Sequence, residues 1–212
     1  MSPIELYTYQ TPNGHKASIM LEETGLSYRV HLIDLEKGEQ KKPDFLALNP
    51  NNKIPVIVDP DRNRTVVESG AILFYLADRS GVLKPKTEDE RLHALQWVLF
   101  QAAHVGPTLG QLWNFKIFAT ERLPSVIERF ERESQRVFGV LDTALTQHEH
   151  LAGAYGVADV MTWPWIHAAV TKIGLTLDGF PELARWYTQI ARRPAVQRGL
   201  EIPKMAEHDH AA

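Results

Sequence analysis

Apolar residues recur at two different spacings along this chain, and the change from one to the other divides it. Near the start, Ile4, Leu6, Tyr7 and Tyr9 form a short β-prone run, which predicts a strand over residues 3–9. Thr11-Pro12-Asn13-Gly14 follows as a turn. Ala17, Met20 and Leu21 then sit at helical spacing, predicting a helix over 14–24 that Gly25 ends. Tyr28, Val30 and Leu32 alternate on one face of a second strand, 28–33. A strand, a helix and a strand joined this way make a parallel, right-handed pair. Residues 34–52 are polar, with at most a short helix over 43–48. Lys53–Asp59 and Thr65–Val67 predict an antiparallel hairpin with a longer loop. A helix over 71–79 stops at Gly81. The unit is βαβ followed by ββα.

Leu83-Lys84-Pro85-Lys86-Thr87 reads as a linker, and beyond it only helical spacing appears. Helices are predicted from Glu88 past Phe100, over 124–148, over 157–172 with a bend at Pro164, over 181–191, and after Pro194 to Leu200. Gly106-Pro107 should kink or divide the first of these. Its middle (Leu95, Trp97, Val98, Leu99, Phe100, Ala102, Ala103) is apolar nearly all round, which predicts burial in a core or at a subunit contact. The polar stretch 205–212 reads as a frayed tail.

Composition removes several functions. The chain has 212 residues, 44% hydrophobic and 23% charged, enough to bury a core and stay in solution. The net charge of −3 comes with no basic patch, so nucleic acid is not an expected partner. There is no cysteine, which excludes disulfides, a protein thiol nucleophile and thiolate-ligated metals. Any sulfur chemistry must use a bound thiol. The histidines show no metal-ligand spacing, and no metal is expected. Met1–Leu6 lacks the features of a signal peptide, and no run approaches the ~18 apolar residues of a membrane span. A cytoplasmic protein is expected.

Four stretches carry candidate chemistry. Residues 7–18 place two hydroxyls, Tyr9 and Thr11, and the Asn13 amide at a helix N-terminus. Unpaired N–H groups and the helix dipole favour anions there; the same residues also suit an ordinary βα turn. Ile54-Pro55 opens a strand either with a trans bond at an edge or with a cis bond that frees the Ile54 backbone to pair with a peptide. Glu68-Ser69 can hold the ammonium and carboxylate of one amino acid main chain, or Ser69 can simply cap a helix. Arg129, Arg132 and Arg136 share a helix face that can meet carboxylates, although Glu128, Glu131 and Glu133 interleave with them as in an ion-paired surface. Gly156-Val157-Ala158-Asp159 is a capping pattern, a folding signal.

Together, Thr11-Pro12-Asn13-Gly14-His15-Lys16, Asn51-Asn52-Lys53-Ile54-Pro55, Glu68-Ser69-Gly70-Ala71-Ile72 and Trp163-Pro164-Trp165 resemble the glutathione transferases, and among them the nu-class, disulfide-reducing branch. The resemblance covers residues 3–202. It implies an α/β plus all-α fold: a thioredoxin-like domain (1–82) with a mixed four-stranded sheet, then an all-helical domain (88–205).

The resemblance also implies glutathione as co-substrate, a small disulfide or electrophile as its partner, and a homodimer. By position, Glu68 and Ser69 would hold the γ-glutamyl end and the Ile54 backbone the cysteinyl unit, with the family's cis-proline at Pro55. Gln40 and Lys53 would face the glycyl end, and Thr11 and Asn13 the sulfur. Arg136 matches an arginine of the nu-class pattern. Gln101 or His104 would contribute from the partner subunit. The electrophile would bind near Val105–Phe118, where Trp113, Phe115 and Phe118 either line the site or join the core. Other branches use a tyrosine where Tyr9 stands, so a conventional conjugating transferase is the rival reading. A non-catalytic glutathione-binding protein is a third.

Overall fold

The computed structural model describes residues 2–204, so the tail expected over 205–212 lies outside the described residues. The first unit runs β1 (Ile4–Thr8), α1 (Pro12–Thr24), β2 (Tyr28–Leu32), α2 (Pro43–Leu48), β3 (Val56–Asp59), β4 (Arg64–Val66) and α3 (Ser69–Ser80). The sheet order is β2-β1-β3-β4. β1 pairs parallel with β2 and antiparallel with β3, and β3 pairs antiparallel with β4. Leu6 lies between Val30 and Ile57 in register. Leu6 and Ile57 join Ile19, Met20, Leu21, Ile72, Leu73 and Leu76 in the core. The alternation expected of β2 does not yield a buried face. Val30 and Leu32 are exposed: β2 is an edge strand, and nothing among the described residues covers these positions.

The helical unit runs α4 (Glu88–Phe100), α5 (Gly106–Trp113), α6 (Pro124–Leu145), α7 (Val157–Ala168), α8 (Pro181–Ala191) and α9 (Pro194–Leu200). Gly106-Pro107 does not divide the chain. A π-helical turn, Gln101–Val105, carries α4 into α5; the wider turn accommodates a proline ring that an α-turn would not. α4 is not enclosed either. Only Ala94 and Val98 are buried on it, while Leu92 and Leu99 are 55% and 57% exposed. All-round apolarity could not tell which face was covered.

α7 is the central helix, buried along nearly its whole length. Asp159 anchors it. One carboxylate oxygen accepts the Gly156 N–H at 3.0 Å, and the other accepts the Leu151 N–H at 3.1 Å and the Trp186 indole N–H at 2.7 Å. The capping pattern is therefore the folding signal expected. α9 closes over α1, with the Ser18 hydroxyl donating to the Gly199 carbonyl at 2.7 Å. A Cβ on Gly199 would lie 2.7 Å from the Ile19 Cα, so the two helices meet backbone to backbone. Among the described residues no helix is long and apolar enough to cross a membrane, and no cluster of three metal-ligating side chains occurs.

Candidate functional site

The site is built where β1 turns into α1. Gly14 makes the close approach possible: a Cβ there would lie 2.1 Å from the Tyr9 carbonyl oxygen. α1 begins at Pro12, two residues ahead of its apolar pattern. Proline suits the first helical position, and Thr11 is the N-cap, its Oγ1 accepting the Gly14 N–H at 3.1 Å. The Thr11 O–H itself has no acceptor among the described residues and remains a donor at a helix N-terminus. Asn13 Oδ1 accepts from Lys16 Nζ at 2.8 Å and from the Trp165 indole N–H at 2.9 Å. Lys16 is fully buried, and its ammonium also donates to Gln101 Oε1 at 2.9 Å. Burial pushes Lys16 down to about 7, against the opposing pull of Glu68.

Two cavities open from this corner. One, of about 1030 Å³, is lined by Asn13, Lys16, Lys53, Glu68, Ser69 and Gln101 among others. The second, of about 560 Å³, is lined by Tyr9, Thr11, Gln40, Ile54, Trp113 and Phe118 among others. They share Asn13, Lys53, Gly110 and Trp165, and so form one groove between the sheet unit and the helices. Two amides in it are incompletely paired: Gln40 Oε1 and Gln101 Nε2 are buried with no partner among the described residues. One calls for a donor and the other for an acceptor, which a peptide-like ligand supplies.

Seven of the expected site residues line this groove: Thr11, Asn13, Gln40, Lys53, Ile54, Glu68 and Ser69. Pro55 is buried next to Ile54, and the bond between them is cis. Strand pairing begins only at Val56, three residues later than the start at Lys53 that the sequence predicts. Ser69 is not the N-cap it was expected to be. Glu68 holds that position with φ 65°, and Ser69 is the first helical residue, its hydroxyl donating to Met161 Sδ at 3.8 Å.

Arg136 is not brought to the groove. It lies on the exposed side of α6 and clasps Glu133, with Nε and Nη2 donating at 2.9 Å and 2.7 Å. Arg132 reaches Glu128 at 3.7 Å. Spacing of three and four residues pairs these charges locally, and the ion-paired surface is what the structure shows. Gln101, expected to reach across from a partner subunit, turns inward to Lys16 of its own chain. His104 is exposed, its ring 5.0 Å from that of Phe100. Trp113 and Phe118 stack at 5.8 Å in the groove, while Phe115 stacks on Phe130 instead. Lys16 and Trp165 escaped notice as site residues. The available signal was a lysine directly beside the apolar positions Ala17 and Met20 of α1.

The two rival hydroxyls differ in setting. Burial raises Tyr9, and the nearby Glu36 and Asp34 carboxylates raise it further. Thr11 stands instead at the positive end of α1.

Comparison with known proteins decides the family. The glutathione S-transferase N-terminal domain model matches residues 2–78, and the C-terminal domain model matches residues 92–194. The chain belongs to the glutathione S-transferase family. The disulfide-bond oxidoreductase YfcG of Escherichia coli is 41% identical over 203 residues, covering 93% of this chain and 94% of that protein. A glutathione transferase from Burkholderia graminis, solved with two glutathione molecules bound per subunit, is 41% identical with a TM-score of 0.93; the match covers 96% of this chain and 90% of that one. One from Pseudomonas putida, solved with one glutathione disulfide per subunit, is 39% identical with a TM-score of 0.90, covering 95% and 92%. This transferase chain therefore has the thioredoxin-like sheet unit and helical unit that its motifs implied.

Proposed function

We propose that this transferase is a glutathione-dependent disulfide-bond oxidoreductase of the nu class, with weaker conjugating activity. The observation that carries the reading is the Thr11 hydroxyl at the N-terminus of α1, a donor without an acceptor among the described residues, in a groove that Glu68 and Ser69 also line. The likeness to YfcG and to transferases crystallised with glutathione or its disulfide supports it.

In this reading residues 1–82 form the glutathione-binding domain and 88–205 the helical domain. Glu68 pairs with the γ-glutamyl ammonium, and Ser69 with the N-terminal N–H groups of α3 receives its carboxylate. The Ile54 backbone pairs with the cysteinyl unit, beside the cis-proline Pro55. Gln40 and Lys53 face the glycyl end. Arg136 has no role in this assignment. The chain acts in the cytoplasm as a homodimer, joined through the exposed apolar stripe Leu92, Leu95 and Leu99 of α4.

The chemistry is thiolate formation and exchange. A free thiol has a pKa near 8.5, so only about 3% is ionised at pH 7. Lowering that by two units takes about 2.7 kcal/mol of preference for the charged form. A hydrogen bond to a charged group supplies about 1.5–3 kcal/mol, so Thr11 with Asn13 and the α1 dipole suffices. The bound thiolate attacks one sulfur of the substrate disulfide. That S–S bond breaks, and the departing thiolate takes a proton from solvent. A second glutathione thiolate then attacks the mixed disulfide, releasing glutathione disulfide and the second thiol; the two electrons come from the two glutathiones. A chain without cysteine needs both sulfurs from its ligand.

The test compares turnover of a small disulfide by glutathione with conjugation of a chlorinated aromatic. Faster disulfide turnover is expected. Dominant conjugation that depends on Tyr9 would mark a conventional transferase, and tight glutathione binding with neither activity a binding protein.

A further inference from the structure

Lys16 is the one buried cation of the groove that the proposed reaction leaves unused. It is 2% exposed, yet among the described residues it has no ion-pair partner. Its two acceptors are neutral amide oxygens, Asn13 Oδ1 at 2.8 Å and Gln101 Oε1 at 2.9 Å. A buried ammonium without a counter-charge is costly, and a neutral residue of similar length would pack the same space. Lys16 is among the residues lining the larger cavity, which Asn13 also lines. The other charged groups lining that cavity are Lys53, Glu68, Asp78 and Arg91. Of these only Glu68 acts on Lys16, and in the reading above it is committed to the ligand's ammonium.

The same contacts fix the Asn13 amide. Its oxygen accepts two N–H donors, from Lys16 and from Trp165. Two donors identify that atom as oxygen, so the NH₂ group faces away from them.

We infer that Lys16 is a positioning residue of the thiol site: it holds the Asn13 carbonyl so that the side chain presents its N–H to the glutathione sulfur, and it sets a buried positive charge facing that sulfur. The inference rests on glutathione binding in this groove. It makes the thiolate the anion for which the ammonium is kept. Burial has pushed Lys16 down to about 7 in the ligand-free chain; a neighbouring thiolate restores the ammonium, and the ammonium lowers the thiol reciprocally.

The experiment is an ultraviolet titration of the thiolate of bound glutathione, in the wild type, Lys16→Met and Gln101→Glu. Methionine keeps the apolar stem without charge. Glutamate keeps the lysine and its packing but cancels the charge. In both variants the bound thiol is expected to titrate at least one unit higher, which for a thiol lowered to about 6.5 means about threefold less thiolate at pH 7. Affinity of Lys16→Met for S-methylglutathione, which has no ionisable thiol, is expected to stay within about threefold. A folded variant of either kind whose thiol titrates as in the wild type overturns the inference, and Gln101→Glu decides it should Lys16→Met fail to fold. A wild-type protein that does not lower the glutathione thiol at all defeats the proposed function instead, so the two failures are distinct.

Discussion

The indole N–H of Trp165 donates to the side-chain oxygen of Asn13 at 2.9 Å, tying the central helix of one unit to the first turn of the other across 152 positions of chain. The corner at the start of α1 is thus held from both sides of the groove, by residues far apart in sequence.

Thr11 and Tyr9 are separated by substitution. Thr11→Ala is expected to lower disulfide turnover at least tenfold and Tyr9→Phe to change it little. Thr11 also caps α1, so the alanine variant should lose about 1 kcal/mol of stability; Thr11→Ser should restore both properties. The reverse ranking of the two hydroxyls in steady-state kinetics sinks the assignment.

Ser69→Ala probes the anion end of the groove. Among the described residues its hydroxyl has only the Met161 sulfur as a hydrogen-bond partner, so the fold should persist, with an unchanged thermal transition. Glutathione affinity measured by calorimetry should fall by about tenfold, the loss of one charge-assisted hydrogen bond. Unaltered binding would move the γ-glutamyl end elsewhere.

Gly14→Ala forces a methyl group against the Tyr9 carbonyl, 2.1 Å from the ideal Cβ position. The turn carrying Thr11 and Asn13 must shift. Urea unfolding should report a loss of about 1–3 kcal/mol, together with weakened glutathione binding. A variant of wild-type stability would show that the approach is looser than described.

His15 gives a pH dependence. Burial, with His167 and Lys172 nearby, pushes it down to about 4, and its buried Nε2 has no partner among the described residues. The unfolded chain takes up this proton first, since its histidine titrates near 6.5. The contribution to stability is complete above that value and is lost as pH falls toward 4. Between pH 7 and pH 5 it amounts to about 2 kcal/mol. His15→Gln should show correspondingly less loss in urea unfolding at the lower pH; equal losses in both proteins would refute the assignment.

Leu99→Lys tests the unpartnered stripe of α4, where Leu99 is 57% exposed. Sedimentation should show a dimer in the wild type and a shift toward monomer in the variant. A wild-type monomer would remove the homodimer from the proposal.

Much of this was readable from residue types because it depends on short-range order. The βαβ-ββα unit follows from apolar spacing, and the turn at Thr11–Gly14 from local chemistry. The rest depended on distance. Lys16 reads by type as a surface helix residue, and its acceptor Gln101 lies 85 positions away. The arginines of α6 share a face, and in this chain Arg132 and Arg136 pair with the neighbouring Glu128 and Glu133. The apolar girdle of α4 does not tell its covered positions, Ala94 and Val98, from its exposed ones, Leu92 and Leu99. Helix starts shifted by two residues because caps such as Thr11, and the positive φ at Glu68, are matters of backbone geometry rather than of hydrophobic pattern.

The docking of α9 on α1 also bears on synthesis. Ser18 and Ile19 lie on the helix that opens at the thiol corner, and they are covered by Gly199. A ribosome must therefore deliver the chain as far as Gly199 before that helix has this neighbour. A nascent chain halted short of residue 199 would carry every groove-lining side chain named above, on a first helix still bare along one side.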